Sequence, residues 1–233
     1  MKRRFMCVLV MACVALTSCS RYADDAAVRS VALLRSSVVS LTMRRPPKNP
    51  RIDAYDEEYG SGLIVASGDW GSDILTVAHV VKGAHMLQAR VADGRIGAAH
   101  LVAMSSDRDL AVLRISIPNV RVAHLGRSSD LLAQRGREVG VLGYPIPDEF
   151  TDQHLGWTMS FNAGRLSAVR HDALEIMLPI VPGESGGPIF FLDNARIIGL
   201  AQSRFADEHS IGFAIPSDVA IRYLHQVDSE HGL

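Results

Sequence analysis

Short apolar runs separated by glycine, proline, aspartate and serine recur along most of this chain, among them Leu63-Ile64-Val65, Ile74-Leu75-Thr76-Val77 and Val139-Gly140-Val141-Leu142. Runs of this length, bounded by turn formers, predict β-strands. No long amphipathic helix interrupts them. Helical spacing occurs at the two ends: Asp24 to Arg35, with Val28, Val31 and Leu34, and Ser217 to Val227, with Val219, Ile221, Tyr223 and Leu224. Ser217 is placed to cap the second helix, and Asp218 suits its positive end. The pattern predicts an all-β body with a short N-terminal helical segment and a C-terminal helix.

The first residues depart from this pattern. Lys2, Arg3 and Arg4 precede an apolar stretch from Phe5 to Leu16, too short to span a bilayer comfortably, which reads as a signal peptide over residues 1–18. Leu16-Thr17-Ser18-Cys19 resembles the bacterial lipobox, in which the cysteine is lipidated and becomes the mature N-terminus. The bland alternative is an ordinary signal peptide that contains a cysteine. A lipidated Cys19 followed by Ser20 points to a lipoprotein facing the periplasm, on the outer membrane of a two-membrane cell. Residues 19–36 then form a tether with a helical segment, and residues 37–228 the folded domain.

Composition narrows the class. Cys7, Cys13 and Cys19 all lie in the signal region, so the folded domain has no disulfide. At about 200 residues it can bury enough apolar surface without one. Removing Lys2, Arg3 and Arg4 from the 24 Lys and Arg leaves 21 against 25 Asp and Glu, a net charge of −4. That balance gives no reason to expect nucleic acid as a partner. The histidines other than His79 show no metal-site spacing with cysteine or acidic residues, so neither a metal nor another cofactor is expected.

The chemistry concentrates in three segments: Thr76-Val77-Ala78-His79-Val80-Val81, Asp107-Arg108-Asp109-Leu110-Ala111-Val112-Leu113 and Gly183-Glu184-Ser185-Gly186-Gly187-Pro188. A serine hydroxyl attacks a carbonyl at neutral pH only with an imidazole to take its proton and a carboxylate to steady that imidazole. His79, Asp109 and Ser185 supply the three groups. Asp107 competes with Asp109, but Asp109 directly precedes a strand-like run that can hold it firmly. The glycines around Ser185 suit a tight turn that aims the N–H groups of Gly183 and Ser185 at one point, an oxyanion site worth on the order of 3 kcal/mol per donor. The segment also fits G-x-S-x-G, the nucleophile elbow of α/β-hydrolases. That triad runs Ser, acid, His, and only 48 residues follow Ser185 in the 233-residue chain. Pro188 to Leu192 and Arg196 to Leu200 instead predict a β-hairpin joined at Asp193-Asn194.

With Ser37-Val38-Val39-Ser40-Leu41, Gly60-Ser61-Gly62-Leu63-Ile64-Val65, Val139 to Pro145, Gly164 to Ala168 and Ile211 to Pro216, these motifs resemble the chymotrypsin-like serine proteases, on their bacterial HtrA-type branch. The resemblance covers nearly everything after residue 37. It implies two packed six-stranded antiparallel β-barrels with the catalytic groups in the cleft between them. His79 and Asp109 would come from the first barrel and Ser185 from the second. It implies cleavage of peptides or unfolded proteins, with Pro179, Leu200, Ala201 and Gln202 near the substrate. Pro179 stands where trypsin-like enzymes carry the carboxylate that selects Lys or Arg, so small or medium apolar residues before the cut are expected. The PDZ module common in HtrA-type proteins finds no room after Ser185.

Pancreatic-type zymogens pair the acidic residue beside the serine with a newly cut N-terminus; this sequence shows no such start and leaves the partner of Glu184 open. Arg44 to Glu58, with Pro46, Pro47 and Pro50, reads as an exposed arm, able to meet a second copy in a homo-oligomer. Pro145 to Trp157 reads as a loop beside the cleft. Two other functions remain in view: a catalytically silent binding protein on the protease fold, and an α/β-hydrolase esterase.

Overall fold

The computed structural model describes residues 26–46, 56–128, 130–145, 158–202 and 211–231. The predicted signal peptide, Cys19, and the central parts of the proline-rich arm and of the loop after Pro145 lie outside these residues. Six strands, β1 (Val38–Arg45), β2 (Asp56–Gly68), β3 (Gly71–Thr76), β4 (Met86–Arg90), β5 (Ile96–Ser105) and β6 (Leu110–Ile115), close a first barrel in the order β1-β2-β3-β6-β5-β4. Six more, β7 (Glu138–Gly143), β8 (Ser160–Val169), β9 (Leu174–Met177), β10 (Pro188–Phe191), β11 (Ile197–Gln202) and β12 (Gly212–Pro216), close a second as β10-β11-β12-β9-β8-β7. Every pairing in both is antiparallel. Closure removes the unpaired edges that short strands would otherwise expose. Two closed barrels leave no open parallel sheet, which disposes of the α/β-hydrolase alternative.

Among the described residues three α-helices accompany the barrels: α1 over residues 26–34, α2 (Ala78–Val81) and α3 (Ser217–His231). The N-terminal helix gives way to a 3-10 turn at Arg35–Ser37, and α3 runs one turn beyond its predicted end at Val227. The start of α3 is tied down by a more distant residue than expected. Ser217 Oγ donates to the Gly126 carbonyl, while Asp218 and Ser128 exchange two backbone-to-side-chain bonds, each of 3.1 Å.

The cores explain how the barrels are joined. Leu41, Ile64, Ile74, Leu75, Leu113 and Ile115 fill the first, and Ala220, Tyr223 and Val227 of α3 pack into the same cluster. The C-terminal helix thus leaves the second barrel and seals the first. Val139, Val141, Leu166, Leu174, Ile189 and Phe191 fill the second. Leu34, Val38, Leu63, Leu142, Tyr144, Phe190 and Ile197 form a further buried cluster drawing on α1 and both barrels. Burying side chains of this size stabilises by about 1.5–3 kcal/mol each, so the shared cluster holds the two barrels together.

Candidate active site

His79 lies on α2, the single turn that follows β3. The Arg45 guanidinium donates to the carbonyls of His79 at 3.0 Å and Val80 at 3.1 Å, satisfying the end of a helix too short to hold itself. Asp109 ends the turn between β5 and β6. Its φ of +53° is unusual for a residue other than glycine, and the surrounding bonds hold it there. Asp109 Oδ1 accepts from the His79 backbone N–H at 2.8 Å, and Oδ2 lies 2.7 Å from His79 Nδ1. The Asp109 carbonyl also accepts from Ala78 N at 3.0 Å. Asp107 is exposed and bonds Ser105 Oγ at 2.5 Å, so it takes no part.

A third group reaches Asp109. The Gln202 amide, at the end of β11, donates to Oδ2, the oxygen that faces His79 Nδ1. Burial alone would raise the Asp109 carboxyl, but the bonds from His79 and Gln202 outweigh it and hold the group below its ordinary value of 3.8. Asp109 is thereby kept as the carboxylate that an imidazole partner requires.

Ser185 is 5% exposed and sits in the turn before β10. Its carbonyl accepts from Ser61 N at 2.8 Å, and the next residue, Gly186, donates to the Ala201 carbonyl at 2.8 Å. Gly186 has a φ of +88°, and a Cβ there would fall 2.1 Å from the Ser61 carbonyl oxygen and 2.5 Å from Thr76 Oγ1. Glycine is therefore required both for the turn and for the approach of the two barrels. The residue after Ser185 thus lies beside the strand that ends in Gln202 and close to Thr76, three residues before His79. Gly183 is also buried, with a φ of +94°. Among the described residues no hydrogen bond uses the N–H of Gly183 or of Ser185, although the intervening Glu184 N–H donates to Val181 at 3.1 Å. Two buried donors without acceptors are costly unless something else accepts from them.

The expected substrate-side residues divide. Pro179 is exposed, while the neighbouring Ile180 lies against Gly212, where a Cβ would come within 2.8 Å of its side chain. Ile180 is partly buried and packs against the core of the second barrel. The Leu200 side chain packs in the core of the first barrel and Ala201 in that of the second, and the Ala201 backbone is tied to the Ser185 turn, donating to the Gly187 carbonyl and accepting from Gly186 N, each at 2.8 Å. Gln202 acts on Asp109 as described. Sequence reasoning missed Ser61, whose hydroxyl donates to the Gly183 carbonyl at 2.7 Å and accepts from Tyr144 N at 2.9 Å. It also missed Asn162, whose amide meets Glu184 at 2.8 Å. Neither lies in a segment that carries reactive groups.

Comparison with known proteins identifies the family and the fold. The trypsin-like peptidase domain family matches residues 60–200. A probable periplasmic serine endoprotease DegP-like from Halomonas elongata is 31% identical, over 79% of this chain and 39% of its own length. The serine protease Do-like HtrA of Bacillus subtilis is 34% identical, over 68% of this chain and 37% of its own. The chain thus spans well under half of these relatives. Among solved structures, the HtrA-type protease AlgW with a tripeptide superposes with a TM-score of 0.69 at 28% identity, covering 88% of this chain and 64% of that one. The serine endoprotease from Yersinia pestis gives 0.69 at 27% identity, covering 86% and 66%. Two closed antiparallel barrels and these matches together show that the chain belongs to the trypsin-like peptidase family, among its HtrA-type members.

Proposed function

We propose that this chain is a serine endopeptidase of the bacterial envelope, with His79, Asp109 and Ser185 as its triad and the N–H groups of Gly183 and Ser185 as its oxyanion site. The observation that carries this reading is the pairing of a doubly bonded His79–Asp109 couple with the N–H groups of Gly183 and Ser185, two buried residues flanking Glu184, which meet no acceptor among the described residues. His79 takes the Ser185 proton as Oγ attacks the peptide carbonyl, and the oxygen that gains charge accepts from Gly183 and Ser185 N–H. His79 then returns the proton to the departing amine. Water, deprotonated by the same imidazole, releases the acyl group.

Substrates in this reading are exposed or unfolded peptide segments, consistent with the tripeptide held by AlgW. The apolar corner at Ile180 and Gly212, without a carboxylate at Pro179, favours small or medium apolar residues before the cut. The names of the DegP-like relatives support a periplasmic setting. Within it, the lipobox-like Leu16 to Cys19 supports a signal peptide over 1–18 and an outer-membrane anchor at Cys19, with 19–36 as tether and 37–228 as protease domain.

Labelling by a fluorophosphonate tests the nucleophile: label is expected on the parent chain and lost in Ser185→Ala, and an unlabelled parent would support the silent binding protein instead. Metabolic labelling with a fatty acid tests the anchor. It should disappear in Cys19→Ala, and label that persists there contradicts it.

A further inference from the structure

The residue between the two proposed oxyanion donors is held more completely than either of them. Glu184 is fully buried. Its Oε1 accepts from Asn162 Nδ2 at 2.8 Å, and its Oε2 from Val181 N at 3.0 Å. Its own N–H donates to the Val181 carbonyl at 3.1 Å, and its carbonyl accepts from Gly187 N at 2.9 Å. On a further side it rests against Gly143, where a Cβ would come within 2.9 Å of its Cα. Both backbone groups and both carboxylate oxygens are therefore fixed.

A buried carboxylate ordinarily needs a cation. Among the described residues, Glu184 is instead met by two amide N–H donors, one from β8 and one from its own loop. Burial raises its carboxyl above the usual 4.5, against the opposing pull of the Val181 and Asn162 bonds. So costly a placement is retained in a loop whose neighbouring N–H groups must point at one spot.

We infer that Asn162 and Glu184 form a latch that aims the Gly183 and Ser185 N–H groups, an inference that rests on the endopeptidase reading above. Asn162 is a positioning residue, acting through Glu184. The latch makes the order of the loop a property of the folded second barrel and requires no charged chain terminus. Its bonds also define a polarity, amide on β8 and carboxylate on the loop, that can be inverted.

Steady-state cleavage of a peptide with an apolar residue before the cut, together with inhibition by the matching peptide aldehyde, tests the latch on the full chain. Asn162→Ala should lower kcat about tenfold or more and weaken the aldehyde by a similar factor, with KM changed less than about threefold, because the oxyanion site binds the reacting state. Asn162→Asp should lose more, since a second carboxylate then faces the buried one of Glu184. Adding Glu184→Gln to Asn162→Asp restores an amide-to-carboxylate bond and keeps an acceptor for Val181 N. That double variant should recover kcat to within about fivefold of the parent. Should Asn162→Ala melt below the assay temperature, the double variant carries the comparison. Unchanged kcat in Asn162→Ala, or a double variant no better than Asn162→Asp, overturns the latch. A parent inert to peptide and fluorophosphonate alike overturns the endopeptidase reading and the latch's role with it.

Discussion

Ser61 of the first barrel donates its backbone N–H at 2.8 Å to the carbonyl of Ser185 in the second. Its hydroxyl donates at 2.7 Å to Gly183 and accepts at 2.9 Å from Tyr144 N, and Thr76 Oγ1 donates at 2.8 Å to its carbonyl. One small, fully buried residue thus ties the nucleophile turn to the strand that leads to His79. Ser61→Ala keeps the backbone bond but strands a buried carbonyl and a buried N–H. Urea denaturation should show a loss of about 1–3 kcal/mol, and kcat should fall with it. Stability equal to the parent would mean that water replaces the hydroxyl.

Gln202 and His79 share Asp109 Oδ2, so removing the amide should loosen the carboxylate that orients the imidazole. Gln202→Ala is expected to lower kcat about tenfold with little change in KM, whereas Asp109→Asn, which disturbs the imidazole tautomer itself, should cost on the order of 10³–10⁴-fold. Comparable losses in the two variants would contradict this ranking.

The half-buried carboxyl of Asp109 and the buried one of Glu184 respond to pH in opposite senses. Asp109 is held below its ordinary 3.8, so its contribution to stability is present above that value and is lost as pH falls through the lower folded one. Glu184 is raised above 4.5, so its contribution is fully present below 4.5 and is lost as pH rises through the higher folded value. Melting temperatures of the parent and Glu184→Gln from pH 4 upward check the second sign: the variant should gain on the parent as pH rises. A gap that shrinks over that range would reverse the assignment.

Phe190 lies fully buried in the cluster shared by the two barrels. Phe190→Ala should cost about 3–5 kcal/mol, read as a lower denaturation midpoint, because the cavity opens where neither barrel can collapse alone. A loss below about 1 kcal/mol would show that the interface repacks.

The strands, both terminal helices and the nucleophile hairpin were legible because each is written in contiguous residues. His79, Asp109 and Ser185 were legible as candidates for the same reason, each embedded in its own motif. What the sequence concealed depends on closure of the barrels. Gln202 reaches Asp109 across 93 positions, and Ser61 reaches Gly183 across 122. Such pairings follow from strand register, which no local pattern records. Asn162 was hidden differently: it reads as an ordinary half-buried residue of β8 until Gly143 is seen to bring β7 against Glu184. Pro179 was identified by position, and the structure shows it exposed beside Ile180, which packs against Gly212 and the core of the second barrel.

Incubation of the purified chain with a mixed peptide pool, beside Ser185→Ala, tests the central claim most directly. The parent should generate new fragments cut after small or medium apolar residues, and Ser185→Ala should generate none. Equal fragmentation by both, no fragmentation by the parent, or cuts dominated by Lys or Arg would contradict the account.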